Sequence, residues 1–548
     1  MRIAVGETAH GGGTLQPLSA DGAPDGPPEH VADVVSAIAE RERAAAPRWV
    51  WAAAHRLYPR LLQAGVRVAQ CHDLELVESL LLGHAGRYGE PRSVAAAYAR
   101  LRGIEVPDDV PYAAGQSQPS LFDDAEGDHD DLDAVVAVHR DQLRRIAASE
   151  HPERLSLLAA AESAGGLCAA EMTHDGLPWR PDVHDRLLTE LLGPRPAPGL
   201  RPRRLQALAD EIAAAFGGRS RVNPDSPAQI VRAFGADGVT VSSARSSVLR
   251  GVDHPAVAPL LEYKELARLH AAHGWSWLDS WVRDGRFRPE YVVGGVVSGR
   301  WATRGGGALQ IPKVLRRAVV ADPGWVLVVA DAAQLEPRVL AALAGDQAFA
   351  AAAAHGDLYT ALADAFGGAR DKAKIALLSA MYGGATDDAV NLLGVLRRRF
   401  PAAYGHVEAA ARAGEAGHVV RSRLGRTCPP PSAAWRRHVS EPGGAGAVRG
   451  RGRFTRNFVV QASAADWALA LLAVTRRRLA GMSGPEGRPH LVFFQHDEVI
   501  VHSPKERADA VAAALRAAAA EAGRLVFGDT PVVFPLEIAV DECYGAAK

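Results

Sequence analysis

Two short apolar segments of this chain lead into acidic side chains, and this arrangement limits both the fold and the chemistry that the chain supports. Residues 325–330 (WVLVVA) precede Asp331, and residues 490–502 (HLVFFQHDEVIVH) carry Asp497 and Glu498 at their centre. Runs of β-branched and aromatic residues of this length predict strands. A carboxylate at the end of a buried strand is costly unless it is paired or binds a metal ion.

The two segments together predict a site for divalent ions. If their strands are neighbours in one sheet, Asp331 and Asp497 hold two ions about 4 Å apart, the spacing used for in-line displacement at phosphorus. Ligands that are all oxygen favour magnesium or manganese. The alternative is that one of the two aspartates only caps its own turn.

A helix between these segments carries four side chains on one face. Arg370, Lys374, Leu378 and Tyr382 recur every four residues, and this spacing places them in one row. Two cations suit a triphosphate, while the leucine and the tyrosine offer a surface for a nucleobase. The alternative is a solvated basic helix face without a ligand.

Charge is distributed unevenly along the chain. Residues 1–150 hold 14 Lys and Arg against 23 Asp and Glu, whereas residues 370–456 hold 16 against 6. A basic stretch of this kind is a candidate surface for a polyanion. Solvated basic faces that bind nothing are the alternative interpretation.

Composition excludes several classes of protein. A chain of 548 residues with 48% hydrophobic and 23% charged residues is typical of a multidomain globular protein. The four cysteines are far apart in sequence and form no C-x-x-C pair, so we expect no zinc ribbon and a reducing compartment. We also expect no membrane span and no export signal.

The periodicity predicts the following elements. Residues 2–6, 292–297, 325–330 and the two halves of 490–502 are predicted strands. Residues 31–45, 49–64, 132–148, 205–216 and 259–273 are predicted helices, as are most of residues 334–480. Loops are predicted at residues 115–131, 193–203 and 425–452.

The order of these motifs resembles family A DNA polymerases, the DNA polymerase I type. It is closest to the actinobacterial proteins described as bifunctional 3′-5′ exonuclease/DNA polymerase. Motif A of the family, D-Y-S-Q-I-E-L-R, stands here as DAAQLEPR at residues 331–338. Motif B, R-x-x-x-K-x-x-x-F-x-x-x-Y-G, matches Arg370, Lys374, Tyr382 and Gly383, and motif C, H-D-E, is His496-Asp497-Glu498. Further matches are SGR at 298–300, QIP at 310–312, LEYKELARL at 261–269 and RFTRNFVVQASAAD at 453–466.

The resemblance implies a multidomain fold of the α+β and α/β classes, a right-hand polymerase with palm, fingers and thumb. A degenerate RNase H-like 3′-5′ exonuclease domain precedes it. The implied bounds are residues 1–150 for the exonuclease-like domain, 151–290 for the thumb, 291–345 and 457–548 for the palm and 346–456 for the fingers.

The resemblance also implies a role for each matched residue. Asp331, Asp497 and the carbonyl of Ala332 would bind two Mg²⁺ ions, which Mn²⁺ can replace, with Glu498 beside them. Glu336 would pair with Tyr382 as a steric gate against ribonucleotides. The remaining residues implied to bind the deoxynucleoside triphosphate are Gln334, Arg370, Lys374 and Leu378, with Lys374 as a possible proton donor to pyrophosphate. Those implied to contact primer-template DNA are Arg300, Gln310, Arg453, Asn457, Gln461 and His496.

Three departures from the family pattern affect this site. Leu378 replaces the aromatic residue that the family keeps beside the sugar, Pro337 interrupts motif A, and Ala332-Ala333 replaces the usual Tyr-Ser. Because the implied metal ligand at position 332 is a backbone carbonyl, this last change leaves metal binding intact. Fidelity, sugar discrimination and processivity are the properties that we expect these changes to alter.

The N-terminal region lacks the carboxylates that a proofreading exonuclease needs. Its three motifs align with Glu7, with Ala53 and Leu57, and with Gly127 and Asp131. Two carboxylates cannot replace the four that hold two metal ions in that domain. We therefore expect the exonuclease to be vestigial.

Two functional hypotheses follow from the sequence. The first is a template-directed DNA polymerase without proofreading that acts in gap filling or repair. It would be a cytoplasmic, nucleoid-associated monomer that uses primer-template DNA and deoxynucleoside triphosphates. The second is a catalytically slow primer-template DNA-binding protein derived from a polymerase. A protein that acts mainly as a 3′-5′ exonuclease is a third reading, and the missing carboxylates oppose it.

Overall fold

The computed structural model describes residues 1–8, 10–110, 131–218, 222–354, 356–382 and 387–547. The chain forms two compact units. The first comprises Met1–His174, Tyr291–Ala302 and Val328–Ala539, and the second comprises Asp175–Glu290, Thr303–Leu327 and Val540–Lys548.

The N-terminal part of the first unit is a mixed sheet with helices packed against it. The strands are β1 (Arg2–Glu7), β2 (Gly13–Leu18), β3 (Glu29–Val31), β4 (Arg48–Trp51) and β5 (Gln70–Asp73). The helices are α1 (Val34–Ala45), α2 (Ala54–Gln63), α3 (Leu74–His84), α4 (Val94–Arg102), α5 (Leu132–Ala147) and α6 (Pro152–Asp175). The strand order is β3-β2-β1-β4-β5, with β1 antiparallel to β2 and parallel to β4.

The helix predicted at residues 49–64 is wrong in its first half. Residues 48–51 form β4, whose register with β1 pairs Ile3 with Trp49. Trp49, Val50 and Trp51 are fully buried. A strand buried on both faces shows no alternation between polar and apolar residues, so the run was mistaken for a helix. The predicted loop at residues 115–131 lies almost wholly outside the described residues.

The second unit is mainly helical. Its elements are β6 (Leu177–Pro178), α7 (Pro181–Leu192), α8 (Arg203–Ala215), α9 (Pro227–Ala236), α10 (Ser246–Leu249), α11 (Val257–His273), α12 (Trp275–Trp281), β7 (Val282–Arg283) and β8 (Arg286–Phe287), with 3₁₀ turns at Ala308–Gln310 and Lys313–Ala318. An aromatic cluster fills its core, and the ring centroids of Trp179 and Trp277 lie 5.1 Å apart. The predicted loop at residues 193–203 is present between α7 and α8.

The strand predicted at residues 292–297 is wrong beyond its first residue. Strand β9 (Glu290–Val292) pairs with β10 (Ala302–Arg304), and residues 293–299 form turns. Gly294 has a φ of +61°, and Gly299 N donates to Val296 O at 2.8 Å. The two valines at 296 and 297 are exposed, so apolar content alone was misleading here.

The C-terminal part of the first unit contains a four-stranded sheet and its covering helices. Its strands are β11 (Trp325–Ala332), β12 (His490–Gln495), β13 (Glu498–Pro504) and β14 (Leu536–Asp541), in the order β12-β13-β11-β14. Its helices are α13 (Leu335–Ala344), α14 (Gln347–Ala353), α15 (Leu358–Leu362), α16 (Arg370–Tyr382), α17 (Asp387–Arg399), α18 (Pro401–Glu415), α19 (Ala433–Val439), α20 (Ala445–Ala480) and α21 (Ala508–Phe527). The loop predicted at residues 425–452 is therefore shorter than expected, because it contains α19 and the start of α20.

Helix α20 has 36 residues and forms the centre of this unit. Among the described residues it alone is long and apolar enough to cross a membrane, and 89% of its apolar window is buried inside the protein. The sequence analysis did not anticipate an apolar segment of this length. The helix also buries two charged residues, Asp466 and Arg476.

Arg476 joins α20 to α6 and α2 of the N-terminal part through a buried ion pair and its neighbouring hydrogen bonds. Its guanidinium donates to Glu171 of α6 at 2.8 and 3.0 Å, to Tyr58 of α2 at 3.2 Å and to the carbonyl of Val68 at 2.5 Å. Burial alone would raise the pKa of Glu171, but the charge of Arg476 holds that pKa below its usual value. Buried charges need partners of this kind on every side.

Replacing Arg476 with methionine leaves the Glu171 carboxylate buried without its main partner. We expect Arg476→Met to lower the stability of the protein by about 3–5 kcal/mol. The adjacent Arg477 pairs with Glu521 on the surface, so Arg477→Met is a matched control that changes stability by about 1 kcal/mol or less. Urea unfolding of the two variants measures the difference, and equal midpoints would contradict the proposed contribution of the buried pair to the free energy of unfolding.

Candidate active site

The carboxylates of Asp331 and Asp497 are brought together by the neighbouring strands β11 and β13. Ala332 N donates to the carbonyl of Asp497 at 3.1 Å. Asp497 lies in the tight turn that joins β12 to β13, where Gln495 pairs with Glu498. The two aspartates predicted to bind metal ions, distant in sequence, thus lie close together at one end of the sheet.

The turn that carries Asp497 and the segment that follows Asp331 and β11 each contain a residue in the left-handed region. His496 has a φ of +57° and Gln334 a φ of +55°, and they are two of only four such non-glycine residues in the described part of the chain. Residues other than glycine rarely adopt this backbone conformation, and those that do are often found at functional sites.

This arrangement makes ionisation of the Asp497 carboxylate less favourable. Burial is the largest cause and the nearby charge of Asp331 the next, and together they raise its pKa from 3.8 to about 6. Glu336 adds to the effect and Arg300 opposes it. Carboxylates that repel one another in this way are suited to share positive ions.

Glu336 connects the helices on either side of the site. Its carboxylate accepts hydrogen bonds from Arg300 and from the hydroxyl of Tyr382. Burial raises the pKa of Glu336 against the opposing influence of Arg300. The structure therefore places the residue predicted as a steric gate in contact with Tyr382.

These residues line one cavity of about 330 Å³. Its walls are Arg300, Gln334, Leu335, Glu336, Pro337, Tyr382, Ala464, Ala465, His496 and Asp497. Most of these positions come from the motifs quoted above, and the small residues of α20 keep the cavity open.

Arg370 is held by a carboxylate that the sequence analysis missed. Asp357 accepts from Arg370 Nε at 2.9 Å and from Gln334 Nε2 at 2.9 Å, and it also caps α15. The Arg370 guanidinium lies 5.5 Å from the ring centroid of Tyr359. An aspartate before an apolar helix signals a cap, but nothing in the sequence shows that the same carboxylate reaches Arg370.

Arg370 and the other three motif B residues of α16 lie on the face of the helix that is not buried. Arg370 and Lys374 are exposed, Leu378 is half-buried and Tyr382 is 37% exposed. The opposite face is buried through Ala373, Ala376, Leu377, Ala380 and Met381. The predicted helix with one free face is therefore present, while Gly383 lies outside the described residues.

The residues predicted to contact DNA are distributed over both units. Arg453, Asn457 and Gln461 follow one face of α20, and the Asn457 amide donates to the carbonyls of Met381 at 2.6 Å and Arg453 at 3.1 Å. His496 is exposed in its turn. Gln310 is exposed at the end of a 3₁₀ turn of the second unit, in which Ala308 is buried.

Divalent metal ions suit the donors that this site offers. The described residues contain no group of three or more His, Cys, Asp and Glu side chains able to hold a metal. Two carboxylates and a backbone carbonyl match magnesium, which takes one or two carboxylates and completes its shell with water and substrate phosphates. Glu498 is 5% exposed at the start of β13, so the carboxylate predicted beside the metals is largely buried in the sheet.

The positions aligned with exonuclease motifs do not form a second site of this kind. Glu7 pairs with Arg60, and Ala53 and Leu57 are buried apolar residues. Asp131 caps α5 by accepting from Asp133 N at 3.2 Å. Gly127 lies outside the described residues.

A family model described as DNA polymerase family A matches residues 201–542, which is more than half of the chain. This chain belongs to DNA polymerase family A. The predicted resemblance to the DNA polymerase I type is confirmed, while the domain bounds implied by it stay predictions.

Curated proteins with similar sequences are named DNA polymerase I. DNA polymerase I of Chloroflexus aurantiacus is 28% identical over 48% of this chain and 30% of its own length. The thermostable DNA polymerase I of Thermus aquaticus is 27% identical over 52% of this chain and 36% of its own length. The match thus spans about a third of the length of these curated relatives.

The structure of the POL domain of Pol1 from M. smegmatis, in complex with DNA primer-template and dNTP, shares the fold. It superposes with a TM-score of 0.72 at 17% identity and covers 100% of this chain and 95% of that one. The predicted fold class, a mixed α and β multidomain polymerase, is confirmed.

Asp497→Asn should stabilise the metal-free protein at alkaline pH. Because the folded state raises the pKa of Asp497 from 3.8 to about 6, it holds this proton more tightly than the unfolded chain does. Stability is therefore lost as the pH rises through this window and is not recovered above it. We expect Asp497→Asn to melt on the order of 1–2 °C above the wild type at pH 8 in EDTA, with no difference near pH 4.

Thermal unfolding with Asp509→Asn as an exposed control checks this expectation. A lower melting temperature for Asp497→Asn at pH 8 would mean that contacts stabilise the ionised carboxylate more than burial and repulsion oppose it.

Proposed function

We propose that this protein is a template-directed DNA polymerase that adds deoxynucleotides to the 3′-hydroxyl of a primer. One observation carries the proposal: Asp331 and Asp497 meet at the sheet edge beside a cavity that Glu336, Tyr382, Arg300 and His496 line. Membership of family A supports the same activity.

The residues that would hold two magnesium ions, or manganese in their place, are Asp331, Asp497 and the carbonyl of Ala332. When bound, such ions lower the pKa of the primer hydroxyl and neutralise the charge of the departing pyrophosphate. The raised pKa of Asp497 means that binding of the ions would release a proton from this side chain near pH 6.

The protein side chains bind and orient the nucleotide. Arg370 would exchange its contact with Asp357 for the triphosphate, and Lys374, one turn further along the same face, would add a second cation. Leu378 and Tyr382 would support the base and sugar. Glu336, held by Arg300 and Tyr382, would occupy the space that a ribose 2′-hydroxyl needs.

Primer-template DNA is the proposed macromolecular partner. The side chains that would contact it are Arg300, Gln310, Arg453, Asn457, Gln461 and His496. The solved M. smegmatis Pol1 domain is a complex with primer-template DNA and dNTP, which supports this choice. We further propose that the protein acts as a monomer in the cytoplasm, associated with the nucleoid, in gap filling or repair.

We propose that the N-terminal sheet is a degenerate exonuclease domain without nuclease activity. Its strand order, with β2 antiparallel to the parallel strands β1, β4 and β5, supports an RNase H-like core. The ion pair between Glu7 and Arg60 supports the loss of activity, because a cation takes the place of a metal ion at the first motif.

Primer extension with and without Asp497 tests the polymerase. We expect the wild type to extend a labelled primer in magnesium with four deoxynucleotides and Asp497→Ala to lose at least about a thousandfold in rate, because one metal ligand is removed. Asp509→Asn, an exposed control, should extend normally. A lane without nucleotides should show no shortening of the primer.

Other outcomes decide between the alternatives. Tight primer-template binding without extension in magnesium or manganese would favour the slow DNA-binding protein. Metal-dependent shortening of the primer that survives Asp331→Ala would overturn the proposed loss of exonuclease activity.

Glu336→Ala tests the steric gate. Removing this side chain opens the cavity beside Tyr382, so we expect incorporation of ribonucleotides relative to deoxynucleotides to rise on the order of 100-fold. Glu336→Gln keeps the volume and should stay within about tenfold of the wild type. Single-nucleotide insertion kinetics measure the ratio, and an unchanged ratio in Glu336→Ala would show that another residue excludes the ribose.

A further inference from the structure

A second cavity of the first unit, of about 340 Å³, carries an excess of positive charge. Three arginines and three histidines line it: Arg154, Arg421, Arg423, His84, His151 and His406. Glu150 is the sole carboxylate among its lining residues. The cavity lies outside the site described above and shares no lining residue with it.

The arginines of this cavity have no ion pairs within the described part of the chain. Arg426, a few residues away, shows the contrast, since it is buried between Glu162 at 2.5 Å and Asp466 at 3.0 Å. Burial and the charge of Arg154 lower the pKa of Arg423, so these two cations repel one another beside a cavity in which Glu150 is the sole carboxylate of the lining. Like charges held together in this way favour a bound anion.

A tight turn fixes the position of two of these cations. Gly425 N donates to Ser422 O at 3.1 Å and Ser422 N to Arg426 O at 2.8 Å, and Arg421 and Thr427 form a β-bridge. Arg423 N donates to Ser463 Oγ of α20 at 3.0 Å. The backbone that carries Arg421 and Arg423 is therefore held in place before any ligand arrives.

His406 provides a further donor. Its Nε2 is buried and has no hydrogen-bond partner among the described residues. Burial lowers the pKa values of His406 and His84, so both rings are neutral at pH 7 and each carries one N–H. A buried polar atom without a partner calls for a ligand that forms a hydrogen bond with it, and in the tautomer with the proton on Nε2 that ligand is an acceptor such as phosphate.

Two helices connect this cavity with the candidate active site. Leu343 lines the second cavity and Glu336 the first, and both belong to α13, where seven residues correspond to about 10 Å of rise. Val459 and Ala464 of α20 also line the second and the first cavity, and their five-residue separation corresponds to about 7.5 Å of rise. A single strand that leaves the active site would reach the second cavity within a few nucleotides.

We infer that this cavity binds the phosphate groups of a single DNA strand, outside the site of nucleotide addition. The lining has cations and histidine donors but no Phe, Tyr or Trp on which a base could stack, which favours contacts to the backbone over contacts to bases. The inference rests on the proposed function, because the DNA supplies the strand.

Fluorescence anisotropy with a labelled single-stranded oligothymidine, in EDTA and without nucleotides, tests the inference. We expect Arg154→Ala/Arg423→Ala to bind roughly tenfold or more weakly than the wild type. The slope of log K against log salt should become shallower by about 1.4, because two phosphate contacts are lost. The matched control is Arg102→Ala/Arg140→Ala, two exposed arginines of the same unit that lie outside both cavities, and it should bind as the wild type does.

Equal affinity of the two double variants for the oligonucleotide would overturn the inference. The inference would also be overturned if the true ligand were a free anion. In that case inorganic phosphate or pyrophosphate would displace the oligonucleotide from the wild-type protein at matched ionic strength. Extension of a primer-template whose template extends beyond the primer by a single base is measured separately. A wild-type protein that extends this primer but does not bind the single strand refutes the cavity alone, whereas a wild-type protein that binds the strand through Arg154 and Arg423 but does not extend the primer refutes the polymerase alone.

Discussion

The hydrogen bond between Ala332 N and Asp497 O is the interaction on which the candidate active site depends. It joins β11 to the hairpin of β12 and β13, and it thereby holds together two carboxylates that would otherwise separate, since the charge of Asp331 opposes the ionisation of Asp497. The surrounding core, in which Val328, Val329, Val499 and Val501 are buried, keeps the two strands in place. The stability of the sheet thus holds the carboxylates of Asp331 and Asp497 together although they repel one another, as is common at sites that bind metal ions.

The sequence predicted those parts of the site that lie in contiguous motifs. The strands before Asp331 and around Asp497 and the helix with Arg370 at its start all have strong local patterns. The partners of these residues were beyond its reach, because Asp357 meets Arg370 and Gln334 only through the packing of α13, α15 and α16. A capping aspartate looks the same in sequence whether or not it also binds a cation, so this contact needed the structure.

Errors in the predicted fold have a common physical origin. Residues 49–51 and 292–297 are both apolar, yet the first forms a strand buried on two faces, whereas the second leaves β9 after Val292 and turns at Gly294, with Val296 and Val297 exposed. Local composition reports how apolar a segment is, whereas the surrounding structure determines whether it is covered. The same limit applies to Glu7: its alignment identified the missing carboxylates, but only the structure shows that Arg60 lies against it.

The buried pair of Glu171 and Arg476 has a consequence for the biosynthesis of the protein. The two residues are 305 positions apart, so a ribosome that adds about 5–20 residues per second releases Arg476 about 15–60 s after Glu171. During that interval α6 carries the Glu171 carboxylate without its main partner, which arrives only with α20. Completion of the first unit must therefore wait until most of the chain has been made, and contacts of such long range are formed slowly. The N-terminal part of the first unit is exposed to chaperones and proteases throughout this time.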